Sequence, residues 1–350
     1  MYKFFKISFI NLIILSFLIG VIEIFFGYWF DEYNFGPEMR GKRIQKVLFK
    51  DGEKDIYFYK DFYGFRTEID NIGQVYDASK IKIIFTGGST SEEMFLNYED
   101  TIVGNLNKNF QKDSLNYKIY NAAVSGKSST GHVNEFHKWF DKIPNFKPEI
   151  MIYYLGLNDR EIIDKKRWHD YHEELDFLDN IIFNISQKSI FWEKSAYIKN
   201  KYFFVQKLTG EYFTKDKVIL NKIAKNEFIS YDNAKKIYTN LKEEEEKILS
   251  NYNENLKKIK KNLEMRQITP IFVTQITNDI NGDRILFFLN EELKKFCKRN
   301  NYFIIKLDEK IDKPLKDSFV DLAHTNKTGS KQISKIIYPL IKEILVKELN

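Results

Sequence analysis

An apolar run of 24 residues, Ile7 to Phe30, stands near the start of the sequence and carries one ionisable residue, Glu23. At about 1.5 Å per residue such a run spans roughly 36 Å as a helix, enough to cross a hydrocarbon core of about 30 Å. Tyr28 and Trp29 suit the interface between membrane and water. No small residues typical of a signal-peptide cleavage site follow the run, which favours an uncleaved anchor. We therefore expect residues 1–30 to form a transmembrane anchor.

The charges that flank this run do not decide its orientation. Lys3 and Lys6 favour a cytoplasmic N-terminus, whereas Arg40, Lys42 and Arg43 lie close to the run on its other side. Long domains cross membranes largely regardless of such charges. The residues alone therefore leave the sidedness open.

The composition excludes several classes of protein. The 31 Phe and 21 Tyr supply ample apolar surface for a folded core, which rules out low-complexity disorder. A disulfide scaffold is impossible with the single Cys297. The net charge of +6 comes from residues spread along the whole chain, as on a solvated surface, so no nucleic-acid partner is expected.

Beyond residue 80, short apolar runs alternate with helical patterns. The predicted strands are 81–85, 118–120, 149–155, 270–274 and 302–306. Helices are predicted over 92–109, 132–141, 285–296 and 333–345. Strands that alternate with helices predict a parallel sheet covered on both faces. Functional groups in such sheets gather beyond the carboxyl ends of the strands.

Residues 160–250 interrupt this alternation with aromatic helical stretches and the acidic run 243–246, which we interpret as a solvated helix face. We expect a helical insertion of about these bounds, which caps the site or packs on the membrane or a partner. The predicted domains are then a juxtamembrane segment, 31–80, and an α/β domain, 81–350.

A serine follows the first predicted strand in the sequence Gly87-Gly88-Ser89, ahead of Glu92 and Glu93. The glycines allow a tight turn, and the carboxylates indicate a helix N-terminus. A serine at this position has an exposed hydroxyl and nearby backbone amides, as a nucleophile requires. The same pattern by itself is typical of a serine that caps a helix.

Two further motifs fall at strand ends. Asn158, in the turn Gly156–Asp159 after the third strand, can donate from its carboxamide to a developing oxyanion. Asp321 precedes His324 by three residues in one loop, so its carboxylate can hold one ring nitrogen. The other ring nitrogen then remains to accept a proton from a serine.

These motifs, in this order, resemble the SGNH/GDSL hydrolase family over roughly residues 81–159 and 255–345. Gly87–Ser89, Gly156–Asp159 and Asp321–His324 are similar to the family's first, third and fifth blocks. The stretch 61–66, Asp-Phe-Tyr-Gly-Phe-Arg, resembles a segment upstream of the first block in membrane-anchored members. The resemblance implies a flavodoxin-like, three-layer α/β fold with a five-stranded parallel sheet.

The resemblance also implies the roles of individual residues. Ser89 is the expected nucleophile, His324 the base and Asp321 its carboxylate partner. The expected oxyanion hole comprises the amides of Ser89 and Ala123 with the Asn158 side chain, although the family has a glycine where we align Ala123. No metal or other cofactor is implied. An α/β-hydrolase is disfavoured, because it requires Gly-x-Ser-x-Gly and position 91 is serine.

Two other groups of residues are candidate sites. Arg160 directly follows the third block, where it can meet an anionic substrate. His169 and His172 have the spacing of metal ligands, but no third ligand is fixed by it, so a polar surface is the better interpretation.

Three functions remain open on the sequence. The first is a membrane-anchored serine ester hydrolase that acts on acylated, for example O-acetylated, glycan, peptidoglycan or lipid. The resemblance to anchored members favours a location outside the cytoplasm. The second is an O-acyltransferase supplied by a membrane acyl-donor protein, and the third is a non-catalytic scaffold that retains the fold.

Overall fold

The structure is a computed structural model and describes residues 2–31, 43–51, 54–160, 177–192, 194–195, 228–315 and 317–349. The chain divides into two compact units. One contains the described parts of residues 1–41 and 172–207, and the other contains those of residues 42–171 and 208–350. His169 and His172 lie outside the described residues, as does most of the predicted insertion.

The larger unit carries seven strands within its described residues. They are β1 (Lys46–Asp51), β2 (Lys54–Tyr59), β3 (Ile83–Gly87), β4 (Ile119–Asn121), β5 (Ile150–Tyr154), β6 (Thr269–Val273) and β7 (Phe303–Ile305). The helices of both units, numbered along the chain, are α1 (Tyr2–Phe26), α2 (Ser89–Glu92), α3 (Ile102–Lys112), α4 (Ser129–Lys138), α5 (Phe177–Lys188), α6 (Tyr231–Ile237), α7 (Glu243–Arg266), α8 (Arg284–Asn300), α9 (Leu307–Lys310) and α10 (Lys327–Leu349).

Strands β3 to β7 form a parallel sheet in the order β4-β3-β5-β6-β7. This is the flavodoxin-like order, in which the connections change side between the first and third strands of the sheet, here β3 and β5. The prediction of a five-stranded parallel sheet is confirmed. The crevice between the carboxyl ends of β3 and β5 is where a ligand site is expected in such a sheet.

Helices cover both faces of this sheet. Ile83 and Phe85 of β3 point to the face covered by α3 and α10, whose apolar residues recur at helical spacing. On the opposite face Tyr153 of β5 stacks on Phe272 of β6, and Phe272 contacts Phe296 of α8 edge to face. Burial of the strands on both faces explains their continuous apolar runs.

The helix predicted over 92–109 is two helices in the structure. The short α2 ends where Glu93 adopts a left-handed conformation with a φ of 48°. A new helix, α3, starts after Thr101, whose hydroxyl accepts a hydrogen bond from Gly104 N at 3.0 Å. The apolar period continued across this break, so the pattern did not reveal it.

The segment that precedes the sheet packs into the same unit. The hairpin β1–β2 leads to Lys60 and Arg66, which are both fully buried. Arg66 N donates to Asn121 O of β4 at 2.8 Å. The 61–66 stretch therefore lies beside the edge of the sheet and close to the residues that follow β3 and β4.

The acidic run 243–246 opens α7, as predicted, but is not uniformly solvated. Glu245 is 5% exposed and pairs with Arg284, with Nε and Oε1 2.8 Å apart. Its other oxygen accepts from the backbone N–H of Lys242, which caps the helix. The interpretation as a solvated face is wrong for Glu245, because α8 brings a cation to it.

In the smaller unit, α1 matches the apolar run identified in the sequence. Its residues Phe4–Phe26 form a helix that is long and apolar enough to cross a membrane, by length and composition. The side chains of this helix are largely exposed. Helix α5 belongs to the same unit.

Candidate active site

Three predicted residues from two distant parts of the chain contact one another in succession. Ser89, the first residue of α2, places its Oγ 2.8 Å from Nε2 of His324. On the other side of the ring, His324 Nδ1 lies 2.6 Å from Oδ2 of Asp321. An ionised carboxylate can only accept, so Nδ1 carries the proton and Nε2 accepts from the serine hydroxyl. This is the hydrogen-bond order of a serine, a base and an orienting carboxylate.

The loop that carries Asp321 holds its carboxylate in place. Oδ1 of Asp321 accepts from the backbone N–H groups of Ala323 at 2.8 Å and of His324 at 2.7 Å. Burial raises the pKa of this carboxyl, but the hydrogen bonds from the His324 ring and from the two amides outweigh burial and leave the pKa below its ordinary value. Asp321 is therefore ionised near neutral pH.

Asn158, which follows β5, places its side chain next to Gly88 and so beside Ser89. Its Nδ2 donates to the carbonyl of Lys127 at 2.9 Å. A Cβ at Gly88 would stand 2.3 Å from this Nδ2, so only glycine before the serine permits the approach. The neighbouring Asp159 accepts from N and Oγ of Ser129 and so joins the end of β5 to the start of α4.

The loop after β4 contains Ala123, whose amide was predicted to donate to the oxyanion. The amide of Ala123 donates to Oδ1 of Asn121 at 2.9 Å, and Ala123 is fully buried. The cavity beside Ser89 is lined instead by Gly126, which has a φ of 79°. Within the described part of the chain, no acceptor takes the Gly126 amide. The Asn121 side chain already occupies the Ala123 donor, so we propose Gly126 in place of the predicted Ala123 as the amide of the oxyanion hole.

A cavity of about 290 Å³ opens next to the Ser89 hydroxyl. Met94, Phe95, Leu96 and Val320 give it an apolar portion. Its polar lining comes from the turn after β3, the loop after β4, the end of β5 and the loop before α10. These residues are Ser89, Thr90, Glu93, Ser125, Gly126, Asn158, His324 and Thr325. The cavity therefore joins an apolar recess to the groups that surround the hydroxyl.

The structure places Arg160 elsewhere. Its guanidinium forms an ion pair with Asp283 and its Nε donates to Leu157 O at 3.0 Å. Arg160 does not line the cavity at Ser89. Asp283 at the start of α8 already supplies an anion to this guanidinium, and the predicted contact of Arg160 with substrate stays a prediction.

The described residues hold no group of three or more His, Cys, Asp or Glu side chains that could bind a metal ion. His324 uses both ring nitrogens in the contacts with Ser89 and Asp321. The chemistry that these contacts permit is transfer of the serine proton to the imidazole, and nucleophilic attack by the serine oxygen.

Comparisons with known proteins give remote structural similarity only. No family model and no curated protein matches the sequence. The chain is similar to the crystal structure of TesA, with a TM-score of 0.43 and 10% identity over 75% of this chain and 99% of that one. It is similar to the acetyl xylan esterase AlAXEase, with a TM-score of 0.43 and 12% identity over 75% and 100% of the two chains.

A third similar structure is a putative lipolytic protein of the G-D-S-L family from Desulfitobacterium hafniense DCB-2. Its TM-score is 0.41, at 10% identity over 75% of this chain and 99% of that one.

Glu92, which the sequence suggested only as a helix-start carboxylate, holds the loop after β4. Its Oε1 forms an ion pair with Lys60 Nζ at 2.6 Å, and both side chains are buried. Its Oε2 accepts from the amide of Ser125 at 2.8 Å and from the hydroxyl of the same residue. Because Ser125 precedes Gly126, this contact fixes the position of the Gly126 amide relative to Ser89.

Glu93, the next residue, holds the loop that carries His324. Its carboxyl accepts from Ile102 N at 2.6 Å, from Thr325 Oγ1 at 3.1 Å and from the Ser330 hydroxyl. Burial raises the pKa of Glu93 to about 7, although these hydrogen bonds and the charge of Arg66 act in the opposite direction. Since Thr325 follows His324, Glu93 joins the turn that carries Ser89 to the loop that carries His324.

Proposed function

We propose that this chain is a membrane-anchored serine ester hydrolase of SGNH/GDSL type. The observation that carries the proposal is the succession Ser89 Oγ, His324 Nε2, His324 Nδ1 and Asp321 Oδ2, with separations of 2.8 Å and 2.6 Å across the ring. Hydrolysis of an ester by such a set needs no cofactor, and the proposal includes none.

The proposed reaction begins at the serine. His324 Nε2 accepts the proton as Ser89 Oγ attacks the ester carbonyl, and Asp321 stabilises the imidazolium that forms. His324 then returns this proton to the departing alcohol, which leaves an acyl group on Ser89. Water deprotonated by the same imidazole releases the acid and restores the serine.

Three donors surround the position of the developing negative charge. They are the amide of Ser89 at the first turn of α2, the amide of Gly126 and the carboxamide of Asn158. One donor of this kind is worth about 2.7–4 kcal/mol in a serine hydrolase. The close approach of Asn158 over Gly88 supports its place in this group.

The size of the cavity favours a short acyl group. At about 290 Å³ it lies just below the range of roughly 300–1,000 Å³ that is usual for small-molecule pockets. Met94 and Leu96 supply apolar contacts for an acetyl or similarly short chain. We propose O-acetylated glycan, peptidoglycan or lipid as the substrate class, with no nucleic-acid partner.

The anchor completes the proposal. Helix α1 would hold the protein in the membrane, and the catalytic unit would act outside the cytoplasm on acyl esters at the cell envelope. Its length and apolar composition support the anchoring. Protease digestion of intact spheroplasts is expected to cleave the catalytic unit, whereas full protection would contradict the proposed side.

Labelling of the full-length protein with a fluorophosphonate tests the nucleophile. Ser89→Ala is expected to abolish labelling, because it removes the only hydroxyl proposed to attack. Ser91→Ala is the matched control, since Ser91 lies two residues away but is fully buried. Equal labelling of the two variants would refute the assignment of Ser89.

A series of p-nitrophenyl esters tests the substrate class. With full-length protein in detergent, kcat/KM is expected to be highest for acetate and to fall as the acyl chain lengthens past the cavity. Ser89→Ala supplies the background rate. Rates that rise toward long chains would contradict the short-acyl proposal, and transfer of acetyl to a glycan acceptor without release of acetate would indicate an acyltransferase.

A further inference from the structure

The one carboxylate within the apolar part of α1 is fully engaged by another segment of the same unit. Glu23 Oε1 accepts from the hydroxyl of Ser189 at 2.6 Å and from Phe191 N at 3.0 Å. Oε2 accepts from Ile190 N at 3.2 Å and from the indole N–H of Trp29 at 3.0 Å. An ionisable group at membrane depth is costly unless it has such partners.

These hydrogen bonds fix where residues 189–191 lie along α1. Glu23 stands three residues before the end of the apolar helix at Phe26, which is about 4.5 Å at 1.5 Å per residue. A further hydrogen bond, which Tyr28 N donates to Lys188 O at 2.8 Å, holds the end of α5 beside the end of α1. Whatever depth the end of α1 takes in a bilayer, the end of α5 shares it.

Helix α5 carries an apolar stripe that no described residue covers. Its members recur at helical spacing, and they are Leu178, Ile181, Ile182 and Ile185, with exposed fractions of 67%, 40%, 46% and 43%. Phe191 and Trp192, just beyond the helix, are 40% and 48% exposed. In a protein surrounded by water, a stripe at this spacing faces a core. Here it faces outward.

We propose that residues 177–192 form an interfacial segment that lies in the surface of the bilayer beside α1, with this stripe in contact with lipid. The inference rests on the proposed insertion of α1. The hydrogen bonds to Glu23 bring the segment to the membrane, and its aromatic pair and exposed Lys188 are the residue types that favour the headgroup region. A bilayer therefore covers the stripe without any additional protein.

The test uses full-length protein reconstituted in vesicles of phosphatidylcholine and phosphatidylglycerol, with a nitroxide on a single introduced cysteine. The labelled positions are Ile182 on the stripe, Asn184 two residues on and therefore on another face of α5, and Leu15 in the middle of α1. Native Cys297 does not compete, because it is fully buried and burial raises its thiol pKa well above the ordinary value. Relaxation by oxygen reports lipid, and relaxation by a water-soluble nickel chelate reports water.

We expect the ratio of oxygen to nickel accessibility at Ile182 to exceed that at Asn184 severalfold and to approach that at Leu15. If Leu15 is in lipid but Ile182 is accessible to nickel, the interfacial segment is refuted and the anchor stands. If Ile182 is shielded from both reagents, a protein surface covers the stripe and the inference is again refuted. If Leu15 itself is accessible to nickel, the anchor fails and the inference fails with it.

Discussion

The two loops that flank Ser89 are held by neighbouring glutamates in different ways. On the side of the proposed oxyanion donors, Glu92 binds Ser125 and has Lys60 2.6 Å away, so a buried cation compensates its charge. On the side of the base, Glu93 binds Thr325 and Ser330, and no cation within ion-pair distance accompanies it among the described residues. One buried carboxyl group with a paired cation and one without thus hold the two loops beside Ser89.

This difference predicts different responses to mutation and to pH. Removal of one member of a buried ion pair leaves the other charge without a partner, which is strongly destabilising. A buried carboxyl without a cation resists ionisation instead, as the pKa of about 7 for Glu93 indicates. The oxyanion side should therefore be sensitive to changes of charge, and the side of the base to pH.

The largest effect is expected from Glu92→Gln, which leaves the Lys60 ammonium buried without its partner. The free energy of unfolding should fall by about 3–5 kcal/mol, as for other broken buried pairs. Urea denaturation followed by tryptophan fluorescence measures it. The double variant Lys60→Met/Glu92→Gln removes both charges, and its free energy of unfolding should fall by less than that of Glu92→Gln. If the single variant were as stable as the double variant, the pair would not compensate charge.

Asn158→Ala should act on catalysis rather than on folding. We expect kcat for a p-nitrophenyl acetate substrate to fall by about 10²–10³-fold with KM little changed, because a donor to the oxyanion acts in the transition state. The melting temperature, measured in parallel, controls for loss of structure. A raised KM with an unchanged kcat would show that Asn158 binds the ground state and would remove it from the oxyanion hole.

The residues at strand ends could be predicted from the sequence, whereas their supports could not. Ser89, Asn158 and His324 follow buried strands or precede the last helix, and parallel topology brings such positions to one edge. Glu92 and Glu93 looked like ordinary carboxylates at a helix start. Their partners lie more than 30 residues away, at Lys60 and Thr325, and no local spacing encodes such a contact.

The proposed change of oxyanion donor from Ala123 to Gly126 has a similar cause. The loop 121–126 offered several amides, and only the structure shows that the Asn121 side chain takes the Ala123 amide. A signal was present in the sequence, since the resemblance implies a glycine for this donor and Gly126 lies three residues beyond the aligned position. The fold itself was predictable, because strands that are buried on both faces require continuous apolar runs in the sequence.

The pH prediction concerns Glu93. Its pKa rises from an ordinary 4.5 to about 7 in the folded chain, so the folded state holds a proton that the unfolded state has already lost. The stabilisation is complete below pH 4.5 and is lost as the pH rises through 7. At about 1.4 kcal/mol per pH unit, the change amounts to about 3 kcal/mol.

Denaturation curves between pH 4 and pH 8 measure this effect. The wild type should lose stability relative to Glu93→Gln across this window, because glutamine does not ionise. Parallel pH dependences of the two proteins would show that Glu93 does not titrate there.

The smallest effect concerns the choice between two amides on the oxyanion side. Gly126→Ala places a Cβ on a residue with a φ of 79°, which costs about 1–2 kcal/mol and displaces the amide, so kcat/KM should fall by about tenfold. Ala123→Gly keeps a backbone N–H whose acceptor is Asn121, and kcat/KM should stay near the wild-type value. The steady-state rates of the two variants decide the matter, because a loss in Ala123→Gly as large as in Gly126→Ala would return the donor role to Ala123.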